Sequence, residues 1–160
     1  MIQHPIAPVY DGNSEILILG SFPSVQSREA GFFYGHPRNR FWRVLSALYD
    51  RPLPQTTEEK RALLLDCRIA LWDVIARCEI SGSADSSITQ AEPNDLSALL
   101  TAAPIRQIYL NGKTAETYYR KYIQSKICRD AICLPSTSPA NAAWSLERLL
   151  GAWAVLRENG

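Results

Sequence analysis

The chain has 160 residues, 46% hydrophobic and 21% charged, the proportions of an ordinary globular domain. A formal net charge of +1 gives no bulk electrostatic case for a nucleic-acid partner, and no run approaches the roughly 18 apolar residues of a membrane span. The opening Met1-Ile2-Gln3-His4-Pro5 lacks a charged segment leading into an apolar run, so no leader is expected and the cytoplasm is the expected location.

In chain order, Ile16–Leu19 is the first short apolar run. It reads as a parallel strand covered on both faces, where alternation disappears. Phe41, Val44, Leu45 and Leu48 then recur at the spacing of one helix face. Thr56-Thr57-Glu58-Glu59 has the form of a capping box opening a helix through about Cys67. Ile69–Ile75 is the second predicted strand, and residues 81–87, Ser-Gly-Ser-Ala-Asp-Ser-Ser, form the longest expected surface loop. Asn94 or Asp95 caps a short helix containing Leu96, Leu99 and Leu100. Ile108–Leu110 is the third strand, and Ala115, Tyr118, Tyr119 and Tyr122 mark the helix after it. Ala131–Leu134 is the fourth strand, and Leu146, Leu149, Leu150 and Trp153 close the chain as a helix. Strand and helix alternate. The expected fold is one α/β domain over residues 1–160, a three-layer αβα sandwich around a central four-stranded, mostly parallel sheet.

Ligands of such sheets bind beyond the carboxyl ends of the strands. The segments there are Gly20-Ser21-Phe22-Pro23-Ser24, Asn111-Gly112-Lys113 and Pro135-Ser136-Thr137-Ser138-Pro139-Ala140-Asn141. They are small, polar and rich in Gly and Pro, suited to close approach by a phosphate backbone. Asp73 and Asn111 end strands near the same rim. Two basic stretches add phosphate-contacting potential: four arginines and one acid between Arg28 and Arg43, and five basic residues and one acid between Lys113 and Arg129. Both also suit a solvated helix surface. Cys67, Cys78, Cys128 and Cys133 form no Cys-x-x-Cys pair, and three of them sit in apolar surroundings. Buried free thiols are expected, with no zinc or iron–sulfur cluster.

Gly20-Ser21-Phe22-Pro23-Ser24 followed by Phe33-Tyr34-Gly35-His36-Pro37-Arg38-Asn39-Arg40-Phe41-Trp42 resembles the first motif region of the uracil-DNA glycosylase superfamily. Pro135-Ser136 resembles its second motif. Phe22 in the first motif and the Leu134–Pro139 segment in the second are most similar to the hypoxanthine-DNA (deoxyinosine) glycosylase branch. The match is strongest over residues 16–49 and 131–142. The resemblance implies cofactor-free hydrolysis of an N-glycosidic bond in DNA containing a damaged base; a monomer needing no metal is expected. It requires a base flipped out of the duplex into a pocket.

Residue roles follow from the resemblance, each beside a plainer one. Tyr34 stands where relatives place a stacking aromatic, and Phe22 would cover another part of the ring; alternatively the aromatics fill core. Asn39 matches the catalytic amide of the hypoxanthine branch and would align the attacking water by orientation rather than proton transfer; it equally suits the N-cap of the following helix. Asn111 would read a base edge or cap its loop. Ser24, His36, Ser136, Thr137 and Ser138 are expected phosphate contacts, with turn hydrogen bonding as the alternative. Leu134 stands where some relatives carry a leaving-group stabiliser, a role that backbone N–H groups around Gly20–Phe22 would then take. Uracil and hypoxanthine present nearly the same edge, so the preference for hypoxanthine rests on the resemblance. A uracil or mismatched-pyrimidine enzyme, or an inactive DNA-binding module, are the rival readings.

Overall fold

The computed structural model describes residues 1–159. Its strands are β1 (Ile2–Gln3), β2 (Ile16–Gly20), β3 (Ile69–Asp73), β4 (Ile75–Glu79), β5 (Thr89–Pro93), β6 (Gln107–Asn111) and β7 (Ala131–Leu134). Its helices are α1 (Val25–Ala30), α2 (Phe41–Leu48), α3 (Thr57–Asp66), α4 (Ser97–Ala102), α5 (Lys113–Tyr122), α6 (Gln124–Ile127), α7 (Leu146–Trp153) and α8 (Val155–Asn159).

The central sheet has the order β3-β2-β6-β7, with every neighbouring pair parallel. All five residues of β2 are buried, because the strand lies between β3 and β6 and helices cover both its faces. Ile16, Ile18 and Leu71 pack with Phe41, Val44, Leu45, Leu64 and Trp153 from α2, α3 and α7. Leu17, Leu19, Ile108 and Leu110 face the opposite side, against Leu99, Ala115 and Tyr119 from α4 and α5. This is the expected αβα sandwich. Each fully buried large side chain contributes about 1.5–3 kcal/mol.

The second predicted strand departs from expectation. Apolar character runs unbroken from Ile69 to Ile75, but the chain leaves the parallel sheet at Val74. β4 then forms a separate antiparallel sheet of order β1-β4-β5. Within β4, Ile75 and Cys78 are buried while Arg77 and Glu79 are exposed, the half-buried pattern of a sheet with one wet face. Beyond β1 the chain runs along the outer edge of β3, where Val9 and Leu71 exchange backbone hydrogen bonds of 3.0 and 2.9 Å. That covers an edge otherwise open to mispairing.

Thr56 caps α3, accepting from the Glu59 N–H at 3.1 Å, while the Glu59 carboxylate turns to the Gln55 N–H instead of closing the box. Asp95 accepts from the Ser97 N–H at the start of α4; Asn94 instead donates to the carbonyls of Asp73 and Ile75. All four cysteines are free thiols, but Cys78 is buried, Cys67 and Cys133 half-buried and Cys128 exposed, so burial is less general than expected. Among the described residues no helix is long and apolar enough to cross a membrane.

Candidate active site

The turn after β2 is tied to the departure of β4. Val74 N–H donates to the Gly20 carbonyl at 2.8 Å and Ile75 N–H to the Ser21 carbonyl at 3.1 Å. Gly20 needs its bare Cα: a Cβ there would overlap the Asp73 carboxylate and lie 2.9 Å from the Tyr34 hydroxyl oxygen. Two polar groups from distant segments thus close on one face of one glycine.

Tyr34 adopts φ 53°, the left-handed region that bulky residues avoid. Such an outlier survives only where its surroundings hold it. Its ring stacks on Phe41 at 4.1 Å, and its hydroxyl accepts a 3.1 Å hydrogen bond from Asn111 Nδ2. Burial is the main cause, with the nearby Asp73 charge second, that pushes the Tyr34 hydroxyl well above the ordinary tyrosine range. It is a neutral hydroxyl at any working pH.

Asn111 is buried to 9% exposure and its amide is largely spoken for. Nδ2 also donates to Thr137 Oγ1 at 3.0 Å, and Oδ1 accepts from the Thr137 N–H at 3.1 Å. The expected base reader therefore braces the rim, using both amide hydrogens to do so. Thr137 is 0% exposed, which removes it from the expected phosphate contacts. Phe22 is likewise withdrawn. It is 7% exposed, with the edge of His4 at 5.8 Å and the Arg28 guanidinium over its ring, so it backs the rim instead of covering a base.

Asn39 Oδ1 accepts from the Phe41 N–H at 2.9 Å, meeting the first N–H of α2 from one residue outside the cap; the N-cap is Arg40, not Asn39 as the plainer reading expected. That bond also fixes the amide plane, and Nδ2 has no hydrogen-bond partner among the described residues. Arg40 donates its backbone N–H to the Thr137 carbonyl at 3.1 Å. Its guanidinium donates to the carbonyls of Ser138 (3.1 Å), Asn141 (3.2 Å) and Trp144. The sequence places Arg40 in the first motif and in a basic stretch without a role of its own; the fold uses it to join the two motifs. Arg28 is also engaged within the chain, donating to the Gly82 carbonyl at 2.7 Å, and Arg38 and Arg43 are exposed.

The remaining phosphate candidates are engaged through one side only. Ser136 and Ser138 are half-buried hydroxyls that accept from the N–H groups of Ser138 and Ala140, both at 3.1 Å, which leaves their O–H to donate. His36 Nδ1 accepts from the Arg38 N–H at 3.0 Å, holding the turn, while Nε2 makes no bond among the described residues. Ser24 caps α1, accepting from the Ser27 N–H and donating to Ser27 Oγ, so its hydroxyl is consumed locally.

Three acids and bases near Gly20 escaped the sequence reading in their roles. Asp73 is 3% exposed and its Oδ2 lies 2.7 Å from His4 Nε2, another buried side chain. Asp85, from the loop before β5, accepts from the Ser21 hydroxyl at 3.0–3.1 Å. Burial of its carboxyl group raises the Asp85 pKa, the Ser21 hydrogen bond opposes the rise, and the Asp73 charge reinforces it. One signal was available in the sequence: an acid directly after four apolar residues at a strand's carboxyl end. Among the described residues no group of three or more His, Cys, Asp or Glu side chains gathers to hold a metal ion.

Comparison with known proteins adds three findings. A family model described as the uracil DNA glycosylase superfamily matches residues 7–157. A Methanosarcina acetivorans protein named hypoxanthine DNA glycosylase is 38% identical over 98% of this chain and 99% of its own; a Methanosarcina barkeri protein of the same name is 36% identical over 96% and 97%. A solution NMR structure from Methanosarcina acetivorans, described as a candidate uracil DNA glycosylase, superposes with a TM-score of 0.83 at 37% identity, covering 99% of this chain and 98% of that one.

Proposed function

The chain belongs to the uracil DNA glycosylase superfamily, and from that premise we propose that it removes hypoxanthine from DNA by hydrolysing the bond between the base and its sugar. The observation carrying the choice of base is end-to-end similarity to two proteins named hypoxanthine DNA glycosylase. We read residues 1–160 as one catalytic domain, working as a cytoplasmic monomer without metal, cluster or organic cofactor.

In this reading the deoxyinosine is extruded from the duplex, at a cost of about a few kcal/mol. The extruded base lies on the Tyr34 ring, on the face opposite Phe41; stacking there is worth about 1–3 kcal/mol. Asn39 holds water at the anomeric carbon. Its Oδ1 keeps one lone pair beyond the bond from Phe41 N–H and accepts from the water, which orients an oxygen lone pair toward C1′. The water oxygen bonds to C1′ as the C1′–N9 bond breaks. The bonding pair leaves with the base, and a water proton ends on the base or in solvent. The hydroxyls of Ser136 and Ser138 and Nε2 of His36, each with a free donor, supply phosphate contacts.

A uracil substrate is the second reading, favoured by the description of the NMR structure. Parallel duplexes with a single deoxyinosine or deoxyuridine, incubated with a chelator and treated with alkali, separate the two. Strand cleavage at deoxyinosine alone or foremost is the expected result; cleavage confined to deoxyuridine replaces hypoxanthine with uracil, and cleavage at neither defeats the enzyme reading.

A further inference from the structure

We propose that a cavity at the opposite pole of the central sheet binds a phosphate group, held by the guanidinium groups of Arg68 and Arg157 and the hydroxyl of Tyr49. The inference is independent of which base the rim removes.

The cavity measures about 200 Å³ and is floored by Glu15 and Ile16. A water molecule takes roughly 30 Å³ of liquid, so the space admits a pyrophosphate. It lies at the amino ends of three neighbouring strands. Arg68 precedes β3, Glu15 precedes β2 and Arg106 precedes β6, and all three line it. A five-residue strand, about 16 Å long, separates this pole from the rim. Tyr49 and Cys67 enter from the carboxyl ends of α2 and α3, and Arg157 enters from α8.

What faces the cavity is almost entirely donor. Glu15 is the one acid lining it, and both its oxygens are occupied, by Arg68 Nη1 at 2.8 Å and Arg106 Nε at 3.4 Å. The Arg68 hydrogen bond holds that carboxyl below its usual range, so Glu15 stays ionised and paired. Nearby Asp66 is paired with Arg51. Three guanidinium groups against one carboxylate leave a surplus of positive charge. Burial keeps the other two polar groups neutral, raising the Cys67 thiol and pushing Tyr49 up to about 12. The Tyr49 hydroxyl makes no hydrogen bond among the described residues.

Helix ends explain only part of this. A helix carboxyl end attracts cations, and Arg157 Nη1 accordingly donates to the Leu48 carbonyl at 2.9 Å, with its guanidinium over the Tyr49 ring. Its Nε and Nη2 remain available. The end of α3 needs no such help, because the Cys67 N–H donates to the Leu63 carbonyl and the Arg68 N–H to that of Leu65, both at 3.1 Å. Arg68 nevertheless occupies φ 59°, the left-handed position after a helix that glycine fills most readily. Its guanidinium meets Glu15 with one nitrogen, leaving the rest of a planar fork suited to phosphate oxygens.

Backbone amide resonances of the full chain, followed while pyrophosphate is added at constant ionic strength, test the site. Saturable shifts are expected at Glu15, Tyr49, Cys67 and Arg68. Arg68→Gln and Arg157→Gln should each weaken the affinity read there about tenfold or more. Excision by both variants should stay within about twofold of wild type, since neither residue touches the rim. Short single-stranded DNA forms a second arm. Shifts at the same amides with DNA identify a nucleic-acid backbone as an occupant; shifts there with pyrophosphate alone identify a small phosphate ligand. If Arg157→Gln loosens the end of α2, the exposed Arg68 decides by itself. No saturable shift at these amides with either probe, or unchanged affinity in Arg68→Gln, overturns the site.

Discussion

Asn111 and Thr137 exchange two hydrogen bonds, amide to hydroxyl at 3.0 Å and backbone N–H to amide oxygen at 3.1 Å, so the end of β6 and the loop after β7 form one unit. The same amide reaches Tyr34, which makes it the common anchor of both motif segments. Asn111→Ala strands the buried Thr137 N–H and hydroxyl. It should lower stability by about 2–4 kcal/mol, read as a reduced urea midpoint, and should reduce excision as Tyr34 loses its hold. Wild-type stability would show that water replaces the amide at no cost.

Asn39 has a capping bond and a proposed catalytic duty, and two substitutions separate them. Asn39→Ser can still accept from the Phe41 N–H but has no amide to align water. It should keep stability within about 1 kcal/mol and lose excision about 100-fold or more. DNA binding should persist in a gel-shift measurement. Near-normal turnover by Asn39→Ser removes the amide from the mechanism.

Gly20→Ala places a methyl group against the Asp73 carboxylate and the Tyr34 hydroxyl. Overpacking should cost about 1–3 kcal/mol, with a larger proportional loss of activity because both rim groups are displaced. Thermal melting and single-turnover rates report the two effects separately. An active Gly20→Ala protein would mean that the rim yields freely.

Arg40→Lys keeps the charge but cannot span three carbonyl oxygens, because an ammonium lacks the planar fork of a guanidinium. The loop from Ser138 to Trp144 should then exchange amide hydrogens faster and be cut sooner by protease. Protection equal to wild type would place the loop's stability elsewhere.

Alkaline pH should destabilise the fold. Burial pushes Tyr49 and Tyr119 up from 10.0 to about 12, and pushes Tyr34 higher still. Between pH 10 and 12 the unfolded chain has released these phenolic protons and the folded chain has not. Stability is therefore fully present below pH 10 and falls as pH rises through the folded values. Urea midpoints at pH 8, 9, 10 and 11 should trace the decline, and Tyr34→Phe should flatten it.

The parallel sheet was readable because its strands are nearly continuous apolar runs. Ala131–Leu134 matches its expected span, and Ile16–Leu19 and Ile108–Leu110 fall short of β2 and β6 by one and two residues. The antiparallel sheet was not readable. β1 has two residues, and β5 is Thr-Gln-Ala-Glu-Pro with no buried position, so neither carries a periodic signal. The break at Val74 was hidden for the opposite reason, since apolar residues continue straight across it. At the rim, motif resemblance located the segments but not which hydroxyls face inward. Thr137, Ser136 and Ser138 look alike in sequence, and only the neighbouring Asn111 amide takes the middle one. The His4–Asp73 pair joins residues 69 apart through a sheet the sequence did not reveal.

β1 pairs with β4 through Ile2 opposite Cys78 and Gln3 opposite Arg77. β1 is therefore without its partner strand until β4, more than seventy residues further along the chain, is in place. The antiparallel sheet thus closes through a contact between segments far apart in sequence, a slower step than forming the helices, whose contacts are local.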